Sequence, residues 1–128
     1  INGFISADRR RTLEPVLQYL VHDKSLITRN MIEGIIRFKR LDGAVAGLET
    51  VAKACFPDGH QADDLHGALE NFTGPKQVIW GENDEVLSVA SAKGLPAAVK
   101  STLLPETGHM PQMEKSADVN AAVTQLIA

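Results

Sequence analysis

The chain has 128 residues, of which 44% are hydrophobic and 23% charged, a composition typical of one globular domain. Its formal net charge of −3 provides no basic surface for a phosphate backbone, so we expect no nucleic-acid partner. The single Cys55 excludes a disulfide framework or a multi-cysteine metal site, and no apolar run reaches the roughly 18 residues that a membrane span requires, so we expect a cytoplasmic protein without a membrane partner.

Residues 1–72 are predicted to be helical throughout. Apolar residues recur at helical spacing from Leu13 to Val21, which indicates one amphipathic helix. Three further helices are predicted, with N-caps at Thr28, at Asp42 and at Asp63 or Asp64. The helix that begins at Asp42 is expected to continue through Phe56, and Cys55 within it is expected to be a small buried residue.

Residues 73–128 alternate between strand and helix patterns. Short apolar runs at 76–80 and 99–104 have the length and composition of strands. A helix is predicted over residues 88–95, and a closing amphipathic helix has its apolar stripe between residues 119 and 127. Strand, helix, strand and helix in this order predict a parallel pair and an α/β fold, as at the end of a doubly wound sheet.

Two residues with catalytic chemistry follow the two predicted strands. Asp84 lies just after the first strand and His109 just after the second. Functional side chains collect at the carboxyl ends of parallel strands. We therefore expect the carboxylate to orient and charge-stabilise the imidazole, as the acid and base of a nucleophilic triad do.

The segments that contain these two residues resemble a known family. The first reads Val-Ile-Trp-Gly-Glu-Asn-Asp and ends at Asp84, and the second reads Gly-His-Met-Pro-Gln-Met-Glu and contains His109. Both resemble the closing segment of α/β-hydrolases, although Ser88 stands where a proline is common. The resemblance implies the C-terminal part of an α/β-hydrolase fold. Residues 1–72 would then be a helical cap, and residues 73–128 the final strand-helix-strand-helix of the core.

The helical region carries a narrower resemblance. The stretch Phe-Ile-Ser-Ala-Asp-Arg-Arg-Arg-Thr-Leu-Glu-Pro-Val-Leu, together with Phe-Lys-Arg-Leu-Asp-Gly further on, is similar to the hydrolase-like C-terminal domain of the dihydrolipoyl acetyltransferase component of bacterial acetoin dehydrogenase. That resemblance implies transfer of an acetyl group between a lipoyl arm and coenzyme A. It also implies other subunits of a dehydrogenase complex as partners, with no cofactor bound by this segment itself.

No serine of the chain lies in a Gly-x-Ser-x-Gly nucleophile elbow. We therefore expect the nucleophile upstream of Ile1, and no activity from this chain alone. Without preceding strands, the strand at 76–80 would have an unpaired edge, so self-association is also expected. Two alternatives remain open: a serine-type hydrolase of esters or of diketone carbon–carbon bonds, and a non-catalytic assembly module.

Each candidate residue also has a purely structural interpretation. Asp84 follows a strand, where aspartate often serves only to form a turn, and His109 could be only a polar residue of a loop. Glu114 is interpreted as a residue at the start of the last helix, where a negative charge is favourable. The triplet from Arg9 to Arg11 is interpreted as a solvated helix face, with an anion site as the alternative.

Overall fold

The computed structural model describes residues 1–128, which form seven α-helices and a two-stranded sheet. The helices are α1 (Asn2–Ser6), α2 (Arg10–Gln18), α3 (Arg29–Lys39), α4 (Ala44–Cys55), α5 (Leu65–Asn71), α6 (Pro111–Glu114) and α7 (Ser116–Ile127). The strands are β1 (Gln77–Gly81) and β2 (Lys100–Leu104). Short 3-10 helices lie at Lys24–Leu26, Pro57–Gly59 and Val89–Ala92.

The chain divides into two compact units. The helical unit consists of Ile1–Leu17 and Ile27–Asp64, and the strand unit consists of Gln18–Leu26 and Leu65–Ala128. The segment 18–26 and helix α5 therefore belong with the strands, although the sequence patterns group them with the helical region. The division of roles into a cap and a core stays a prediction.

The helical unit has its buried side chains on α2 and α3. Leu13 and Ile32 are completely buried, as the apolar spacing of these helices predicts. The predicted N-cap of α3 is confirmed, since the Thr28 hydroxyl accepts a hydrogen bond from the Met31 N–H at 3.3 Å. At the other end of α3 the buried Lys39 ammonium donates to backbone carbonyls of the segment that contains α1.

Helix α4 differs from its predicted form. It follows Gly43, which has a φ of 78° and provides no side-chain cap, so the prediction of Asp42 as the cap is wrong. The helix ends at Cys55, and this thiol is exposed rather than buried. Phe56 lies outside the helix and is also exposed. The predicted face is covered only in part: Leu48 is partly buried, whereas Val51 is 60% exposed.

The strand unit is built on the parallel pairing of β1 with β2, which confirms the predicted topology. The connection between them contains the 3-10 helix Val89–Ala92 instead of an α-helix over 88–95. Ser88 does cap it, because its hydroxyl accepts from the Ala90 N–H at 3.2 Å. The helix ends because the backbone becomes extended at Lys93, with a ψ of 148°, and Gly94 after it has a φ of 76°, in the left-handed region.

The closing helix α7 has a narrower buried stripe than predicted. Ala122 is buried, and Val119 and Leu126 are partly covered. Val123 and Ile127, which the pattern assigns to the inward face, are 45% and 77% exposed. A two-stranded sheet covers only part of the apolar face. None of the helices combines the length and the apolar character needed to cross a lipid bilayer.

Candidate active site

The loops after β1 and β2 begin at the same level of the sheet. The register pairs Gly81 with Leu104, the last residue of each strand. Backbone bonds then join the loops to one another: the Glu82 N–H donates to the Leu104 carbonyl and the Asn83 N–H to the Thr107 carbonyl, both at 2.9 Å. The turn that carries the acid is therefore fastened directly to the loop that carries the histidine.

Gly81 allows these loops to approach so closely. A Cβ atom at this position would lie in hard contact with the carbonyl oxygens of Thr107 and Gly108, and 2.7 Å from the Thr107 carbonyl carbon. Thr107 itself is fully buried. A residue with a side chain at position 81 would therefore push the histidine loop away from the strand end.

Asp84 and His109 are in direct contact. The His109 Nδ1 lies 2.9 Å from the Asp84 Oδ2, and the Asp84 side chain is only 4% exposed, against 32% for His109. The second carboxylate oxygen accepts the backbone N–H groups of Val86 and Leu87, at 2.8 and 2.9 Å. Asp84 thus shapes its own turn with one oxygen and contacts the imidazole with the other.

The contact defines which histidine nitrogen is available for chemistry. An ionised carboxylate can only accept hydrogen bonds, so the proton of the shared bond belongs to Nδ1. The neutral imidazole then has its lone pair on Nε2 and can accept a proton there. This is the orientation that a general base requires.

A cleft of about 270 Å³ lies against this pair. Beside the pair, Trp80 and Leu87 contribute apolar surface, and the Trp80 indole N–H donates to the Leu87 carbonyl at 3.3 Å. No serine, threonine or cysteine lies among the residues of the cleft wall, which are Ile79, Trp80, Gly81, Asp84, Leu87, Gly108, His109, Pro111 and Gln112. No group of three or more histidine, cysteine, aspartate or glutamate side chains is arranged to hold a metal ion.

Glu114 accepts two backbone hydrogen bonds that its interpretation as a helix-start residue did not include. It is the last residue of α6 rather than the first of α7. Its carboxylate accepts the Gly108 N–H at 2.8 Å and the His22 N–H at 2.6 Å. The only sequence signal for this arrangement is the spacing Gly-His-x-Pro-x-x-Glu, in which Glu114 stands five residues after His109.

The arginine triplet lies in the helical unit. Arg9, Arg10 and Arg11 are exposed, and Arg10 forms an ion pair with Glu14 one turn further along at 3.1 Å. This arrangement agrees with the interpretation of a solvated helix face.

Curated relatives of the chain are acetyltransferase components. The chain is 36% identical over 119 residues to the dihydrolipoyllysine-residue acetyltransferase component of the acetoin cleaving system of Cupriavidus necator, covering 93% of this chain and 32% of that protein. The component of the same name from Pseudomonas putida is 37% identical over 120 residues, covering 94% and 32%. The chain thus spans about a third of the length of these relatives. No protein-family model matches it.

Solved structures with the same fold are hydrolases. The meta-cleavage product hydrolase CumD, in a variant form, superposes with a TM-score of 0.76 at 16% identity, covering 98% of this chain and 47% of that one. A serine hydrolase involved in carbazole degradation, CarC, gives a TM-score of 0.75 at 19% identity, covering 94% and 48%. The chain therefore has the α/β-hydrolase fold over the portion of these enzymes that it covers, and in sequence it is similar to acetyltransferase components of acetoin cleaving systems.

Proposed function

We propose that Asp84 and His109 are the acid and the base of an acyl-transfer site. The observation that supports this most directly is the 2.9 Å contact between the His109 Nδ1 and the buried Asp84 carboxylate, at the wall of a cleft. A buried carboxylate that holds an imidazole in one tautomer is the arrangement by which nucleophilic enzymes prepare a general base.

In the proposed reaction an acetyl group moves from a lipoyl arm to coenzyme A. The Nε2 of His109 takes the proton of the attacking hydroxyl or thiol as that group bonds to the acetyl carbonyl carbon. The proton then goes to the departing thiolate as the old thioester bond breaks. If the attacking group is a hydroxyl, it now carries the acetyl group as an ester; the Nε2 then takes the proton of the coenzyme A thiol as its sulfur bonds to the acetyl carbon, and gives it to the hydroxyl oxygen as the ester bond breaks. If the coenzyme A thiol attacks directly, the first exchange completes the transfer, and on either route His109 ends the cycle neutral. Asp84 stabilises the transient imidazolium and stays ionised.

The nucleophile is proposed to come from outside the residues that line the cleft. The cleft wall contributes no hydroxyl or thiol side chain, and no serine of the chain lies in a Gly-x-Ser-x-Gly context. Under this proposal the 128 residues alone neither hydrolyse nor transfer acyl groups.

The size and lining of the cleft fit the reacting end of a thin thioester substrate. Pockets for drug-sized ligands measure about 300 to 1,000 Å³, and this cleft, at about 270 Å³, lies near the lower end of that range. We propose that the lipoyl group and coenzyme A are substrates that reach it with their thiol ends, beside Trp80 and Leu87. Such partly apolar walls help to exclude water, which would otherwise divert the acyl group to hydrolysis.

The names of the relatives support transferase chemistry. The proteins from Cupriavidus necator and Pseudomonas putida are named as acetyltransferase components of an acetoin cleaving system. By this similarity we propose that the protein works within a dehydrogenase complex, together with its other subunits. For the 128-residue chain in isolation we propose self-association, through the edge of β1 that β2 leaves unpaired.

The test is turnover by the full-length protein with acetylated lipoamide and coenzyme A, with acetyl-coenzyme A and free acetate both measured. Asp84→Asn leaves the shape of the site but removes the charge that holds the tautomer. We expect it to lower kcat on the order of 10³- to 10⁴-fold. Asp118→Asn, at an exposed position of α7, is the matched control and should retain full turnover.

Other results would select a different function. Full activity of Asp84→Asn would remove this carboxylate from the mechanism. Release of acetate at a rate independent of coenzyme A would identify a hydrolase. An absence of both products, with an intact fold by circular dichroism, would indicate a non-catalytic assembly module.

A further inference from the structure

We propose that Glu114 is a positioning residue that keeps His109 aligned with Asp84 by clamping the backbone immediately before the histidine. The link from this clamp to catalysis rests on the proposed function, whereas the clamp itself rests on geometry. The Glu114 side chain makes no hydrogen bond to the His109 ring and does not line the cleft. It acts through the peptide of Gly108.

The carboxylate of Glu114 joins two distant parts of the chain. Its Oε1 accepts the Gly108 N–H at 2.8 Å, and its Oε2 accepts the His22 N–H at 2.6 Å. Hydrogen bonds from backbone N–H groups to an ionised carboxylate are shorter and about twice as strong as neutral ones. One side chain therefore satisfies a donor of the histidine loop and a donor of the segment 18–26.

The Gly108 and His22 N–H groups lie where the backbone of the histidine loop packs directly against the segment 18–26. A Cβ atom on Gly108 would lie 2.9 Å from the Cα of Val21 and 2.8 Å from the backbone nitrogen of His22. Gly108 is buried, so its N–H has little water to bond with and requires a protein acceptor. The carboxylate serves both donors at once, one with each oxygen.

The segment 18–26 is itself held in place. The Lys24 ammonium donates to the carbonyls of Gln18 and Val21 at 2.7 and 2.8 Å, and to the Glu85 carboxylate at 2.9 Å. The backbone on which Glu114 anchors the loop is thus tied back on itself and to the residue after Asp84. The clamp has a fixed support.

Glu114 acts on His109 through the backbone of Gly108. Gly108 directly precedes His109, and on the other side of the loop the Thr107 carbonyl accepts from the Asn83 N–H at 2.9 Å. Both bonds hold the Thr107–Gly108 peptide, one at its carbonyl and one at its N–H, so the backbone leading into His109 has little freedom. Without Glu114 this peptide keeps its bond to Asn83 on one side and loses the bond on the other, so we expect the imidazole to shift relative to Asp84. A displacement of about 1 Å in a reacting group costs up to about 10²-fold in rate.

Glu114→Gln is the informative variant because it preserves size and shape. The amide offers one acceptor oxygen and turns its NH₂ group towards a second N–H donor, so one of the two bonds is lost. Glu106→Gln is the matched control: it removes one negative charge from the same loop at an exposed position. Both variants are compared with Asp84→Asn in the full-length protein.

We expect Glu114→Gln to lower kcat on the order of tenfold to a hundredfold with little change in KM. Glu106→Gln should leave both kcat and KM unchanged. The NMR resonance of the His109 Nδ1 proton, hydrogen-bonded to Asp84, should be seen in the wild type and in Glu106→Gln. It should be lost or broadened in Glu114→Gln, which a purely structural role for Glu114 would not cause.

The outcomes separate the clamp from the function. An unchanged Nδ1 proton resonance and unchanged turnover in Glu114→Gln, beside an inactive Asp84→Asn, would overturn the clamp and leave the proposed function standing. Full turnover in Asp84→Asn, with the resonance lost in Glu114→Gln, would support the clamp and overturn the function. If Glu114→Gln does not fold, hydrogen exchange of the wild type decides: rapid exchange at the Gly108 and His22 amides would overturn the clamp, and protection of both would support it.

Discussion

Replacing Gly81 with alanine tests the close approach on which the site depends. The added methyl group would meet the carbonyl oxygens of Thr107 and Gly108, with the Thr107 carbonyl carbon at 2.7 Å. These atoms belong to the backbone and cannot rotate away as a flexible side chain would. The histidine loop must therefore shift as a whole, and the bond from the Asn83 N–H to the Thr107 carbonyl is lost.

Three terms determine the expected change in the free energy of unfolding. Overpacking costs typically 1 to 3 kcal/mol, and contact with two backbone groups puts Gly81→Ala near the upper end, at about 3 kcal/mol. The lost hydrogen bond adds about 1 kcal/mol. Alanine restricts the unfolded chain more than glycine does and offsets about 0.5 to 1 kcal/mol. The net expectation is a loss of about 3 kcal/mol.

Gly34 provides the matched control. It lies within α3, and a Cβ atom there would meet nothing within 4 Å. Gly34→Ala should therefore raise the free energy of unfolding by roughly 0.5 to 1 kcal/mol, the usual preference of a helix for alanine over glycine. The two variants have the same chemical change and opposite expected signs.

Urea denaturation measures both variants. Circular dichroism follows the helices, and the fluorescence of Trp80, the single tryptophan of the chain, reports on the strand unit next to Gly81. The slope of the transition must stay unchanged for the two midpoints to be compared. If Gly81→Ala falls within about 0.5 kcal/mol of wild type, the close contact between β1 and the histidine loop is not present in solution, and the reasoning fails.

Two further predictions concern charge and association. Burial lowers the pKa of Lys39 below its ordinary 10.5, opposed by the nearby charge of Asp8. Between the folded pKa and 10.5 the unfolded chain binds more protons, so this contribution to the free energy of unfolding should rise with pH there; Lys39→Met should abolish that rise, and identical pH dependence of variant and wild type would contradict the assignment. The isolated chain should sediment as an oligomer through the unpaired edge of β1 and exposed apolar residues such as Leu103 and Ile127, and a concentration-independent monomer would refute this.

The sequence patterns predicted the strands and their pairing well because those signals are local. Apolar runs of strand length identified β1 and β2 to within a residue, and the order of elements implied their parallel pairing. The hydroxyl of Thr28 was recognised as a cap because its bond spans three residues. Asp42 failed as a cap because Gly43 takes that place with a positive φ.

Burial was predicted less well because it depends on what lies opposite. The apolar spacing of α4 and α7 shows which residues share a face, but nothing in the spacing reveals whether another element covers it. Cys55 and Ile127 are exposed for this reason. The helix predicted over 88–95 is a single 3-10 turn, because the backbone becomes extended at Lys93 and left-handed at Gly94.

The sequence alone was enough to expect an aspartate and a histidine, each just beyond a parallel strand, to lie near one another, and they meet because the register of the strands brings their ends to one level. Only the tertiary structure revealed how that meeting is maintained. The bonds from Glu114 to Gly108 and to His22 join residues from both ends of the chain. Contacts of this kind depend on distances in space, which the spacing of residues along a sequence does not encode.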